Sequence, residues 1–429
     1  MIFLIIHVVK SGENLYEISK LYGVSYDKIA SDNQLTKPNE LVIGQTLVIL
    51  QDTRFHKILP GQSLYGIAKM YGVTIASLYA ANPILNSSII LYPGQIINIP
   101  ILNQKFGSLE VNAYALPSTD MTVLEKTLPN LTYLSIFSYQ IQADGTLKGI
   151  NDVPLIQAAR KAKVAPMMVI TNLKEGGGFD SALAHTILTD KTIQKKLLDN
   201  IANTLKNKNY YGLDIDIEYI FPKDKENYNN FLRKVVTNLK PLGYPVTTAL
   251  APKPSGDIKG LLYEAHDYPV HGALASHVIL MTYEWGYTAG PPLAVSPLNE
   301  VKKILDYAVT VIPSKKIFMG IPNYGYDWTL PYVKGTTATA LGNVEAVDLA
   351  RKMNAAIQYD YTSQAPYFNY FDSNKKEHVV WFEDARSMDA KLKTAHDYKL
   401  GGVSYWTIGK YFPQAWLVQN SLFDVAKLL

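Results

Sequence analysis

Asp214, Asp216 and Glu218 are the residues of this chain best placed to do chemistry. In Asp214-Ile215-Asp216-Ile217-Glu218 acids alternate with isoleucine, and on an extended strand residues two apart share a face. Successive acids there lie roughly 6 to 7 Å apart, close enough for mutual repulsion to raise one pKa and keep a carboxyl protonated near neutrality. Such a group beside ionised neighbours is equipment for general acid catalysis. A solvated strand could alternate in the same way, but the apolar flanks mark this strand as buried, where three unpaired charges would be costly.

Other chemistries find little support. The chain has no cysteine, which removes thiolate catalysis, disulfides and Cys-based metal sites. Its eight histidines are scattered without an HExxH pattern, so neither metal nor cofactor is expected. Gly176-Gly177-Gly178 lacks the Gly-Lys-Ser/Thr of a phosphate loop and reads as a substrate-side loop. Lys191–Lys196 and Lys206–Lys208 read as the solvated face and end of a helix. A net charge of +4 without a dense basic stripe argues against a nucleic-acid partner.

The elements that must hold the acids are apolar strands alternating with amphipathic helices. Strands are expected at Ser108–Tyr114, Leu131–Ser138, Met167–Thr171, Gly212–Tyr219, Pro245–Leu250, His277–Tyr283, Lys316–Ile321 and Gly402–Trp406. Ile193, Leu197, Ile201 and Leu205 keep helical spacing before the acidic strand, and Tyr228, Phe231, Leu232, Val235 and Leu239 keep it after. Eight such units predict an α/β fold, a (β/α)₈ TIM barrel over 104–429. An α+β insertion rich in Tyr and Phe, about 327–396, parts strands seven and eight.

The first hundred residues follow another grammar. Gly12, Leu15, Tyr16, Ile18, Tyr22, Gly23 and Val24 recur 49 positions later as Gly61, Leu64, Tyr65, Ile67, Tyr71, Gly72 and Val73, and Asn33 recurs as Asn82. Two βααβ units are expected, over 6–50 and 54–100, with a linker at 101–106. The apolar start Ile2–Val9 reads as a strand, since it lacks the basic region and cleavage site of a signal peptide. No apolar run is long enough for a transmembrane helix, so membrane insertion is not expected.

These units resemble LysM domains, a family that binds N-acetylglucosamine-containing glycans between the first helix and the loop before the last strand. The resemblance implies glycan contacts at Gly12, Asn14, Leu15 and Asn33 in the first unit and at Gly61, Ser63, Leu64 and Asn82 in the second. From Gly212 to Glu218 the acidic strand resembles the DGxDxDxE signature of glycoside hydrolase family 18. Met281-Thr282-Tyr283-Glu284 looks like that family's MxYD element, the aromatics around Gly325 like its strand-seven element, and Trp406 like its tryptophan floor. Two departures stand out: Tyr211 replaces the first Asp of the signature, and Glu284 replaces the strand-six Asp. A Tyr211 hydroxyl bond to Asp214 is the expected compensation.

The family's mechanism implies that Glu218 is acid and then base, that Asp216 orients the substrate's acetamide with support from Asp214, and that Tyr283 hydrogen-bonds its carbonyl. Tyr114, Tyr219, Met281, Thr282, Glu284, Asn323 and Trp406 are the implied substrate contacts. The partners implied are peptidoglycan or chitin-like N-acetylglucosamine glycans. Tandem LysM units on such a barrel are the arrangement of bacterial spore germination hydrolases, which implies an N-acetylglucosaminidase acting on spore cortex, wall-associated in the spore. A chitinase, or a glycan-binding lectin without catalysis, is the alternative.

Overall fold

The computed structural model describes residues 3–51, 53–83, 85, 91–100 and 105–429. Contacts divide the chain into two compact units, Met1–Gly107 with Pro413–Phe423, and Ser108–Phe412 with Asp424–Leu429.

The first unit contains the two βααβ modules. Strand Phe3–Val8 pairs antiparallel with Thr46–Gln51 around helices Leu15–Tyr22 and Tyr26–Asp32; Thr53–Lys57 pairs with Ile96–Pro100 around Leu64–Tyr71 and Ile75–Ala81. Asn14 Oδ1 accepts from Glu17 N at 2.9 Å and Ser63 Oγ from Gly66 N at 3.1 Å, capping otherwise unpaired amides at the helix starts. Gly23 ends the first helix at φ 65°, a left-handed cap that glycine adopts without strain. A Cβ there would lie 2.4 Å from the exposed ring of Phe55 in the second module, so glycine lets that ring lie close against the end of the helix. Leu15, Ile18, Ile29, Leu47 and Ile49 fill the first core, and Ile67, Leu78, Ile97 and Ile99 the second. His7 joins Tyr22 and Glu13 in one module as His56 joins Tyr71 and Gln62 in the other. Of the expected linker, residues 101–104 lie outside the described residues, while Phe106 packs on Phe423.

The second unit is the barrel. Its parallel strands are Ser108–Ala115, Tyr133–Ile141, Ala165–Thr171, Gly212–Asp216, Val246–Leu250, His277–Leu280, Ile317–Pro322 and Gly402–Trp406. Each pairs with the next in sequence order and the first pairs with both the second and the last, which closes the ring. All eight expected strands are present. The fourth and sixth are shorter than their apolar patterns suggest, because Tyr219 (φ 53°) and Glu284 (φ 69°) turn the backbone into the left-handed region just beyond them. Gly212 opens the fourth strand where a Cβ would fall 2.6 Å from the Pro245 carbonyl, so close strand packing demands it. Inside, Tyr114, Tyr133, Met167, Val169, Ala249, Ile279 and Phe318 form the packed floor.

Between strands seven and eight stands a five-stranded antiparallel sheet, spanning Gly325 to Trp381 in sequence, with helix Asn343–Lys352. The following helix, Ala385–Asp397, is the one that leads into the eighth strand.

Candidate active site

The strand ends at Asp216, and Glu218 sits two residues past it. What fixes Glu218 there is Asn172, immediately after the third strand: its Oδ1 accepts from Glu218 N at 3.0 Å and its Nδ2 donates to Glu218 O at 2.8 Å. Nothing in the sequence pattern singled out Asn172, although a lone carboxamide at the end of a buried apolar strand is a signal.

Asp214 is fully buried. Its Oδ2 accepts from Tyr114 OH at 2.7 Å, and Ser135 Oγ lies 3.2 Å from the same oxygen. Ser135 also touches Asn112, whose Nδ2 donates to Ser404 Oγ at 2.9 Å, so a polar chain links strands one, two, four and eight. Burial pushes the Asp214 carboxyl up to about 6 against those two hydroxyls, which hold it down. The expected Tyr211 bond is not the one formed. Tyr211 packs its ring against Tyr133, with centroids 6.2 Å apart, and Tyr114 and Ser135 take the supporting role from strands one and two.

Asp216 is 4% exposed and its Oδ1 has no hydrogen-bond partner. Burial first, then the charges of Glu218 and Asp214, drive its pKa well up. Glu218 reaches the cavity and is itself raised to about 7 by desolvation. The result is an acid raised toward neutrality beside an unsatisfied carboxyl; burial lifts Glu218, and the mutual repulsion expected from the alternating acids acts on Asp216, second to burial.

Asp216 and Glu218 open into a cavity of about 590 Å³. Tyr114, Tyr219, Met281, Tyr283, Glu284 and Trp406, all expected at the site, line it. Trp406 stands edge-on to Tyr114 and Phe137, with centroids at 5.2 and 4.8 Å. Glu284 Oε1 accepts from the phenols of Tyr324 and Tyr326, which fix a carboxylate that the sequence left free. Phe137 of the second strand also lines the cavity, as do Leu173, Phe179, Leu262, Tyr263 and Tyr287; these five come from segments between the strands, without periodic pattern. Phe179 stacks on Tyr219 directly after the triple glycine.

Two expected contacts do not line the cavity. Thr282 is wholly buried and its hydroxyl donates to Gly320 O at 2.7 Å. Asn323 is 2% exposed and its amide holds the carbonyls of Thr407 and Lys410 at 2.9 and 2.8 Å. Both brace the strand tips, and Asn323 Oδ1 is buried without a partner.

The modules divide in the same way. Gly12, Asn14, Gly61 and Ser63 are exposed beside the first helix of their module, and Leu64 is partly exposed. Leu15 is buried in the core. Asn33 and Asn82 are corrected to internal brackets: Asn33 Nδ2 donates to Ile29 O and Val48 O while its Oδ1 accepts from Val48 N at 2.7 Å, and Asn82 repeats this with Leu78 O, Asn98 O and Asn98 N. Gln414 adds a further bond to Asn33 Oδ1 at 3.0 Å. A buried carboxamide that has spent its donors and acceptor inside the module has none left for sugar. Part of the loop before the last strand of the second module, residues 86–90, lies outside the described residues.

Among the described residues no helix is long and apolar enough to cross a membrane, and no group of His, Asp and Glu is arranged to hold a metal.

Residues 112–410 match the glycosyl hydrolases family 18, and residues 7–50 and 56–100 match the LysM domain. The chain is 42% identical over 428 residues to the cortical fragment-lytic enzyme of Bacillus anthracis, covering 98% of each chain. It superimposes on the crystal structure of the Bacillus megaterium QM B1551 spore cortex-lytic enzyme SleL with a TM-score of 0.90 at 38% identity, over the whole of both chains. The Bacillus cereus spore cortex-lytic enzyme SleL gives 0.85 at 41% identity over 99% of each. With its barrel, its two small modules and its full-length relatives in agreement, the chain belongs to glycosyl hydrolase family 18 and is a glycoside hydrolase with two LysM domains.

Proposed function

We propose that this enzyme is an N-acetylglucosaminidase that hydrolyses β-1,4 bonds in spore cortex peptidoglycan fragments during germination, with retention and with the substrate's acetamide as nucleophile. The observation that carries the mechanism is the buried Asp216 carboxyl with an unpartnered oxygen beside Glu218. A buried acceptor of that kind awaits a donor from the ligand, and an acetamide N–H supplies one. Glu284, the remaining cavity carboxylate, is held by two phenols, which leaves it a poor nucleophile.

In the reaction the acetamide oxygen attacks C1 while Glu218 gives its proton to the leaving glycosidic oxygen, and the C1–O bond breaks. Asp216 accepts from the acetamide N–H and balances the charge of the oxazolinium ring, Tyr283 donates to the acetamide oxygen, and Trp406 floors the sugar. Glu218, now a carboxylate, takes a proton from water as that water attacks C1 and reopens the ring. Two displacements return the original configuration.

The cortex as substrate rests on the names of the full-length relatives and on tandem wall-binding modules, which raise local concentration on an insoluble polymer. In each module the exposed Gly12 and Asn14, or Gly61 and Ser63, are the proposed glycan contacts. The same reading places the protein at the wall of the spore.

The test is mass spectrometry of products from purified cortex, run beside chitin oligomers, with wild type and Glu218→Gln. Cortex fragments ending in reducing N-acetylglucosamine, absent with the variant, are expected. Cleavage confined to chitin would make the protein a chitinase, and cleavage of neither would leave a lectin.

A further inference from the structure

The fourth and fifth barrel strands part at the cavity, and a buried imidazole stands in the gap. Along their ladder Asp214 partners Thr247 and Ile215 partners Thr248, and Leu213 N donates to Pro245 O at 3.0 Å. In a parallel ladder a residue bonds through its N–H and C=O to the two residues that flank its partner. Carried on to Ile217, this register would set the Ala251 N–H on the Ile217 carbonyl. Instead, Ala251 N donates to His266 Nδ1 at 2.8 Å, and His266 Nε2 lies 3.1 Å from Ile217 O. One ring replaces one rung of the ladder. Because Nδ1 accepts, the proton sits on Nε2 and is donated to Ile217. Burial pushes the imidazole pKa down to about 4, which keeps the ring neutral, with the one donor and one acceptor that the two bonds need.

The ring is itself held. His266 is 1% exposed and packs beside Tyr228, with centroids 6.1 Å apart, and its own carbonyl accepts from Lys253 Nζ at 3.0 Å. Two residues on, the Tyr268 hydroxyl donates to Ala251 O at 2.7 Å and accepts from Lys253 N at 2.9 Å.

We propose that His266 is a positioning residue for the catalytic acid: it props the two strand tips apart and fixes the peptide that carries Glu218 into the cavity. The inference rests on the reading of Glu218 as the acid. Ile217 O and Glu218 N belong to a single peptide plane. His266 holds its oxygen from the side of the fifth strand, and Asn172 Oδ1 holds its N–H from the side of the third at 3.0 Å. Rotation of that plane would swing the Glu218 side chain, and it now costs two buried hydrogen bonds. Filling space would require only a ring of this size; bridging an N–H and a carbonyl on two strands requires the imidazole.

The experiment is the pH profile of kcat and KM on a soluble chromogenic N-acetylglucosamine oligomer, with full-length wild type and three variants. His266→Phe keeps the bulk and loses both bonds. His266→Asn keeps an acceptor for Ala251 but is too short for Ile217, and it carries the comparison if His266→Phe does not fold. His266→Gln again reaches Ile217 with a donor. For the first two, kcat is expected to fall about 10- to 100-fold with KM within about twofold. Their alkaline limb should move from about 7 toward the ordinary 4.5, because a Glu218 released from its pocket regains water. His266→Gln should return kcat to within about threefold of wild type and restore the limb. A limb that stays near 7 in His266→Phe or His266→Asn, a loss confined to KM, or a His266→Gln no better than His266→Phe would overturn the positioning role and leave the acid assignment standing. A wild-type profile flat through pH 7 would remove Glu218 as the acid, and the positioning role with it.

Discussion

Tyr114 reaches from the first barrel strand to the fourth and donates its phenolic hydrogen to Asp214 across 2.7 Å. The bond ties the innermost acid of the fourth strand to a ring that also walls the cavity and touches Trp406. The acids are therefore set by the barrel, through contacts far apart in sequence.

As the proposed acid, Glu218 enters the reaction protonated, and burial lifts its pKa to about 7. Turnover on a soluble N-acetylglucosamine oligomer is expected to fall as pH rises through that value. Glu218→Gln should lower kcat by about 1000-fold or more with oligomer binding retained. A pH profile of kcat from pH 4 to 9 reads the first, and a flat alkaline limb would contradict the assignment.

Asp214 illustrates a conflict between stability and function. Its folded pKa of about 6 lies above the ordinary 3.8, so its stabilising share is complete below about pH 4 and is lost as pH rises through 6. A gap of about two units corresponds to about 3 kcal/mol. Asp214→Asn should therefore raise the unfolding midpoint at pH 8 more than at pH 4, while activity falls. Thermal melts at the two pH values check this.

Tyr283→Phe removes the donor proposed for the acetamide oxygen. Because that bond holds the acetamide oxygen in line for attack on C1, its loss should appear in kcat, by about 10- to 100-fold, with KM little altered. Steady-state kinetics on a chromogenic N-acetylglucosamine oligomer separates the two constants.

Asn82→Ala strands the Asn98 amide and the carbonyls of Leu78 and Asn98 inside the second module. A cost of about 1 to 3 kcal/mol is expected, visible in chemical denaturation of the whole chain. Substitution of exposed Ser63 by glycine, which keeps a tolerable helix cap, should cost only a few tenths.

The acids were legible because alternation on a strand is a local property. Residues 214 and 216 face inward whatever else the fold does, and the eight apolar strands fix a barrel around them. Asn172, Ser135 and Phe179 were not legible, since each acquires its role from a partner strand or from a loop whose path no periodicity records. Repetition misled at Asn33 and Asn82: a residue kept in both modules is constrained, but the same constraint arises from two carbonyls and an amide needing a partner as from a sugar. Tyr211 failed for a geometric reason. It precedes the strand, which begins at Gly212, and its ring packs on Tyr133 at the floor, while two nearer hydroxyls already occupied the space at Asp214.

The contact of Gly23 with Phe55 has a bearing on how the wall is gripped. The first module's last strand ends at Gln51 and the second module's first begins at Thr53, so no length of chain is available to act as a tether. Two glycan-binding faces held in that way would meet a polymer as a ruler with fixed marks. Avidity would then depend on whether the spacing of sugars along or between strands matches the marks, and a bulkier residue at position 23 would change the ruler without touching either face.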